Sequence, residues 1–396
     1  MWYDPLGGDG GGSEDAGTDS RVVGDSALDG HSVDGPIFDG SSPDVGSPDG
    51  MVVADAGMGP VDPHVAVSSS GTIRNVKIVW NGSDGYYVAW SDDRTGTQQV
   101  YFQELDLNGL PAGSEVLVSA VSSGTIASLN LANATGQVGV VWARQDTAAV
   151  YEFQRFTADG SPSGPVYSTP AWEPSLIGTP VEPQIGSNGS DFALLLRRPA
   201  GVDYVLLDSA SRVVDDDNVS TTGILVTFSR PVWTGDRFGL SWSENDTGLV
   251  TTHDGTAFGS RAVMNVNETE SARLTWGHGK LAFVATEYQR LTGWRYYVRF
   301  VDQDGNRLAG AGFGDLPAPL AGTLSINLLR PTSAGYGFVW SGSVIPGSPA
   351  YLQAVDMNGA PIGEPEALTR LSIYYEGGPG LAFVRLESGA IWFGRR

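Results

Sequence analysis

RNVKIVWNGSDGYYVAWSDDRTGTQQVYFQELDLNGLPAGSEVLVS, residues 74–119, reads as four short strands joined by three turns. Val76, Ile78 and Trp80 alternate with other residues and share one face of a strand. Asn81-Gly82-Ser83-Asp84-Gly85 is a turn, because Gly and Asn tolerate positive φ. Tyr86–Trp90 is a continuous apolar run of strand length, suited to a strand covered on both faces. A polar stretch follows, then a longer third strand over Gln99–Asp106. Asn108-Gly109 turns the chain, and Glu115–Ser119 is expected to close the unit.

The second strand of this unit can be laid out seven times: Tyr86–Trp90, Val138–Trp142, Phe192–Leu196, Phe238–Trp242, Leu281–Ala285, Tyr336–Trp340 and Leu381–Arg385. Their last positions are 52, 54, 46, 43, 55 and 45 residues apart. Four strands per period of this length mark a β-propeller. Several third strands end in a repeated reverse turn, among them Asn108-Gly109, Asp159-Gly160, Asp304-Gly305 and Asn358-Gly359. Stretches with helical periodicity and a cap are absent. The seventh unit, from about Leu371, stops at Arg396 without a fourth strand. That strand is expected at the other end: His64–Ser68 followed by SSGT matches Glu115–Ser119 followed by AVSSGT. The expected fold is therefore all-β, a seven-bladed β-propeller closed by an N-terminal strand in its last blade.

The first 60 residues read differently. They hold 14 Gly and 12 Asp or Glu against one Arg, with few large apolar residues. Such a segment buries too little to offset its ordering entropy, so 1–60 is expected to be a disordered acidic tail before a propeller over 61–396. Asp-rich repeats suggest Ca2+, but the ligand spacing of an EF-hand or nonapeptide repeat is missing, and no cofactor is expected. The formal net charge of -22 disfavours nucleic acid and anionic membrane as partners. The absence of Cys excludes disulfides and thiolate chemistry. No apolar run is long enough for a transmembrane helix. The opening MWYDPLGGDGGG lacks the basic and apolar segments of a signal peptide, so the expectation is either a cytosolic protein or a mis-called or trimmed start.

The pattern over residues 86–119, an apolar run ending in Trp-Ser-Asp-Asp-Arg-x-Gly, then a strand, then Asn-Gly-x-Pro-x-Gly, resembles the repeat of bacterial secreted and surface β-propellers. The Asp/Gly tail resembles the spacer that follows the lipid-anchored cysteine in lipoproteins of myxobacteria and their relatives. The resemblance implies an extracytoplasmic setting, secreted or at the cell surface, and leaves activity open. This chain departs from the lipoprotein pattern in having no Cys.

In a propeller the first strand of each blade lines the central channel, and the second-to-third loops share one face. Those loops vary most here, so function is expected among them. Asp92-Asp93-Arg94 is the sharpest polar cluster. It reads either as a cation or sugar site, or as a loop cap whose Arg bridges to the next blade. The same position elsewhere offers Arg144, Arg197, Glu244, Glu287 and Arg290. Trp172, between Pro170 and Pro174, reads either as an exposed aromatic for a sugar or partner side chain, or as packing. Two functions follow. One is a non-catalytic, monomeric binding propeller for a glycan or protein partner. The alternative is a carbohydrate-active hydrolase or lyase using paired carboxylates. Asp302–Asn306 echoes a calcium loop but lacks its distal Glu, and reads as a hairpin turn. His253 and His278 are expected in turns, without metal-ligand spacing.

Overall fold

The computed structural model describes residues 61–119, 123–173, 180–199, 201–220, 227–244, 247–264, 269–289, 293–315, 324–342, 350–368, 374–375, 382–387 and 390–395. The tail expected over 1–60 lies outside them. Among the described residues every regular element is a β-strand, and the strands pair antiparallel into seven sheets, the blades of one propeller.

Blade 1 holds the unit read above, as Arg74–Trp80, Gly85–Asp92, Gln99–Asp106 and Val116–Leu117. Its fourth strand is shorter than the expected Glu115–Ser119. Blade 7 is composite. Tyr374–Tyr375, Ala382–Glu387 and Ala390–Arg395 come from the end of the chain. Its outer strand, Val61–Ser68, comes from the beginning, with Val61 opposite Arg395 and Ser68 opposite Ala390. The ring is thus fastened as expected, by a strand longer than His64–Ser68.

The core is divided among the seams between blades. Seven apolar clusters fill seven seams, from Tyr86, Trp90 and Phe393 between blades 7 and 1 round to Val339, Leu368 and Phe383 between blades 6 and 7. An open array would have one seam fewer. Gly85–Asp92 is buried at every position, as its unbroken apolar run required.

The repeated Asp-x-Asn-Gly turn also spaces the blades. Asp106 Oδ1 accepts the backbone N–H of Asn108 and Leu110, at 2.8 and 2.9 Å. Gly109 then adopts φ 78°. A Cβ there would lie 2.0 Å from the Phe393 ring of blade 7, so the turn needs Gly for its conformation and for this close approach. Asp302 and Asp356 cap their turns in the same way. The DQDGN stretch is accordingly a hairpin turn, its first carboxylate taken up by backbone N–H groups.

Blade 4 departs from the pattern. Its inner strand is two pieces, Thr227–Phe228 and Val232–Trp233, both paired with Phe238–Glu244. Pro231 sits in the break and has no N–H for the ladder.

Candidate functional site

Inner strands begin where second strands end, because each pair is antiparallel. Arg74 lies opposite Ser91, Thr227 opposite Ser243, Thr269 opposite Glu287 and Ser325 opposite Ser341. This upper face carries the residues singled out above. Most prove to be strand residues, since the second strands run on to Asp92, Gln145, Arg198, Glu244 and Gln289. The connections beyond them are correspondingly shorter than expected.

Asp92 is fully buried. Its Oδ2 accepts hydrogen bonds from Trp90 Nε1 at 3.1 Å, Ser69 Oγ at 3.0 Å and Arg94 Nε at 2.8 Å. Arg94 Nη2 completes the ion pair, while Nη1 reaches Glu115 at 2.7 Å. Arg94 was expected to bridge to the next blade. Both its carboxylates belong to blade 1, because the chain leading into the fourth strand runs alongside. Burial works against the Asp92 charge, but the bonds from Arg94, Trp90 and Ser69 outweigh it and hold the carboxyl below its usual range. Asp93 Oδ1 accepts the Thr72 N–H at 2.7 Å. The cluster caps and locks a loop.

The same device recurs. Glu244 Oε2 accepts from Trp242 Nε1 at 3.2 Å and Ser220 Oγ at 2.9 Å. Trp142 Nε1 donates to Glu152 at 2.8 Å, a carboxylate directly across the strand pair that also binds Arg144 at 3.3 Å. Glu287 is buried, beside the Tyr297 hydroxyl. Arg197 is a half-buried strand residue close to Tyr151. Trp172 is only 9% exposed and lies on Tyr151, ring centroids 5.1 Å apart, so the exposed-aromatic reading gives way to packing. Its backbone bridges to Ala149, which draws the ring inward. Arg290 lies outside the described residues. Of the eight candidates among the described residues, only Asp92, Asp93 and Arg94 form one cluster; Trp172 and Arg197 share a neighbour in Tyr151.

The channel mouth gathers residues that the sequence reading did not nominate. Lys77, on the inner strand of blade 1, reaches past blade 2 to Glu182, just ahead of the inner strand of blade 3, at 2.8 Å. Asn130 of blade 2 lies below this pair, Nδ2 to Glu182 Oε1 at 3.4 Å. Beside them opens a cavity of about 250 Å³, lined by Val181, Glu182, Gln184, Thr227, Phe228, Ala272, Arg273 and Ser325. Four blades, 3 to 6, supply its wall. Arg273 Nη1 rests on the Ala272 carbonyl at 2.9 Å. The available signal was polar residues breaking the apolar inner-strand pattern, but their meeting depends on ring closure.

Two further clusters lie at the edges of blade 3, whose third and outer strands are Gly201–Leu207 and Val213–Ser220. Burial pushes the Asp203 carboxyl up despite its ion pair with Arg198 and the Asn218 amide at 3.0 Å. His253, expected in a turn, is instead the buried last residue of Thr247–His253. Its Nε2 lies 3.1 Å from Asp215 and 3.5 Å from Asp217, a grouping of metal-ligand type. Gly255 N–H donates to Nδ1 at 3.1 Å, so the neutral ring carries its proton on Nε2, facing the carboxylates. That arrangement serves a hydrogen bond between blades, from His253 to Asp217.

No protein-family model matches this chain, and no curated protein matches it. Among solved structures the chain is similar to the Dos1 propeller, with TM-score 0.48 and 11% identity over 85% of this chain and 94% of that one. It is also similar to the C-terminal WD40 domain of Sif2, with TM-score 0.47 and 11% identity over 86% and 99%. A third is the β-propeller domain of the Trilobed protease from Pyrococcus furiosus, with TM-score 0.47 and 5% identity over 82% and 95%. At these identities the likeness is of fold alone. Among the described residues no helix is long and apolar enough to cross a membrane.

Proposed function

We propose that this propeller is a non-catalytic, monomeric, extracytoplasmic binding module that holds a glycan or protein partner on its upper face. The observation that carries the reading is the channel-mouth cavity. Its wall mixes an amide, two hydroxyls, an aromatic ring and charges of both signs, brought together by four blades. Concave sites with a few convergent polar groups on a rigid scaffold are the usual form of a binding site. The extracytoplasmic setting is supported by the likeness of the 86–119 repeat and the Asp/Gly tail to those of exported proteins.

The hydrolase or lyase alternative needs one carboxyl that protonates a leaving group and another that acts as nucleophile or base. Asp92 and Glu244 are committed to indole donors; the lowered pKa of Asp92 does not suit the protonating role, and its full burial keeps it from acting as nucleophile or base. The test is incubation of the protein with a glycan panel and candidate surface proteins, measuring retention and product together. Retention without product, unchanged in Glu244→Gln and Glu287→Gln, is the expected result. Product that disappears in either variant would replace this reading with the enzymatic one.

A further inference from the structure

The geometry points to a latch on the ring: Asp92, Asp93 and Arg94 hold the linker that carries the closing strand into blade 1, and acid releases it.

The closing strand is tethered differently from the other outer strands. In blades 1 to 6 the outer strand is the next strand in the chain after its third-strand neighbour. Val61–Ser68 has no such short connection, because its neighbour Ala390–Arg395 lies at the other end of the sequence. It is held by its ladder, by the packing of Ala66 and Val67 in the seam, and by the linker of residues 69–73. A strand without a short connection to its neighbour gains more freedom on detaching, so fixing the linker matters most here.

Blade 1 fixes that linker. Ser69 Oγ donates to Asp92 Oδ2 at 3.0 Å and itself accepts the Gly71 N–H at 3.0 Å. Thr72 N–H donates to Asp93 Oδ1 at 2.7 Å. A Cβ at Gly71 would overlap the Arg94 backbone, so the linker lies directly against the loop. Ile73 then enters the seam between blades 7 and 1. Related clasps join Ser123 to Asp146 and Ser220 to Glu244, at separations of 23 and 24 residues against 23 for Ser69 and Asp92. The clasp is therefore a feature of the repeat, put to a second use where the ring closes.

Charge decides when the clasp opens. Asp92 is buried and faces Arg94 from its own loop, Tyr101 from the third strand and, through Arg94, Glu115 from the stretch before the fourth strand; Asp93 is next in the chain. Protonation removes the ion pair with Arg94 and leaves Ser69 and Trp90 a weaker acceptor. The folded state holds this carboxyl below its usual range, so the latch is complete at neutral pH and is lost as pH falls through that lower value.

The experiment is hydrogen exchange of the full chain, read as protection relative to unstructured peptide at the same pH. Between neutral pH and about pH 3, Val61–Ser68 is expected to lose about tenfold more protection than Phe192–Arg198 of blade 3. Asp92→Asn is expected to show that loss already at neutral pH and to lose no more in acid, whereas Asp146→Asn leaves Val61–Ser68 protected. Should Asp92→Asn fail to fold, Ser69→Ala, which alters the linker's end of the clasp, must lower protection of Val61–Ser68 at neutral pH. Equal losses in the closing strand and in blade 3 on acidification overturn the latch, since the ring would then be yielding as a whole. A loss confined to residues 93–98 in Asp92→Asn overturns it too, because the cluster would then hold only its own loop. So does a closing strand loosened as much by Asp146→Asn as by Asp92→Asn.

Discussion

Blades 1 and 6 carry nearly the same second strand, Tyr86–Trp90 as YYVAW and Tyr336–Trp340 as YGFVW. Each buries its Trp completely and stacks it on the Tyr directly across the strand pair, Trp90 on Tyr101 and Trp340 on Tyr351. They differ two residues on. Blade 1 has Asp92, which takes the indole N–H, whereas blade 6 has Gly342. Among the described residues Trp340 Nε1 has no hydrogen-bond partner. Blade 4 solves the problem with Glu244 and blade 2 with Glu152 from the neighbouring strand. Four of the seven blades thus share the indole, and three of these supply it with an acceptor among the described residues. A carboxylate beside a repeat Trp is first of all the partner of a buried donor.

The two blades also meet the closing blade differently. Blade 1 lays Tyr86 and the Gly109 turn on Phe393, whereas blade 6 meets blade 7 through a smaller cluster around Val339 and Leu368. Removing Val61–Ser68 withdraws buried Ala66 and Val67 from the larger seam and leaves Ala390–Arg395 as an open edge. Relative to a chain beginning at Val61, a chain beginning at Ser69 should lose several kcal/mol in urea unfolding. Hydrogen exchange should show protection falling further in Gly85–Asp92 than in Gly335–Gly342. Equal losses in the two strands would erase the asymmetry.

Asp92→Ala is expected to cost about 3 kcal/mol, because it strands the Trp90 donor and leaves Arg94 short of a buried partner. A loss below about 1 kcal/mol would return Asp92 to the list of functional candidates. Replacing the indoles gives a smaller contrast. Trp90→Phe deprives a buried carboxylate of a donor, while Trp340→Phe removes an N–H that has no partner among the described residues. Both lose similar packing, so Trp90→Phe should be worse by about 1 kcal/mol. Matched urea midpoints with unchanged slopes test this.

The ring was legible in the sequence because it is written seven times and because His64–Ser68 repeats the end of the first unit. The Asp-Gly and Asn-Gly turns were legible as turns, though not as the spacers that let Gly109 touch Phe393. The site was harder. Three adjacent charges at 92–94 look like chemistry, yet residues two apart on a strand share a face. Trp90-x-Asp92 and Trp242-x-Glu244 could have been read as donor and acceptor pairs. The channel mouth was not legible, since residues from 182 to 325 meet only once four blades stand side by side.

Acid separates the blades more gently. Asp92 is held below its usual value of 3.8 in the folded state. A carboxyl depressed by folding adds stability above its unfolded pKa and loses it as pH falls through the lower folded value. Its contribution is thus complete at neutral pH and fades below about pH 4. Asp302 and Asp356, whose carboxyls cap turns, fade over the same range and set the common background. The deficit of Asp92→Asn relative to the unaltered chain should therefore shrink between pH 7 and pH 3. A deficit that stays constant would mean that the Asp92 charge contributes nothing to the fold.

The smallest effect runs in the opposite direction. Gly342 lies two residues beyond Trp340, as Asp92 lies two beyond Trp90, and it ends a strand paired with Leu324. An Asp placed there begins on the same face as the indole. Gly342→Asp is expected to supply an acceptor that the described residues lack and to exchange Gly for a residue with fewer unfolded conformations. Blade 6 has no counterpart of Arg94 at Gly342 plus two, where Val344 stands, so the new carboxylate gains the indole bond without the ion pair. The expected gain is about 0.5–1 kcal/mol in urea unfolding, lost again when Trp340→Phe is added. A gain that survives Trp340→Phe would trace to the backbone alone, and the indole of blade 6 would then need no acceptor.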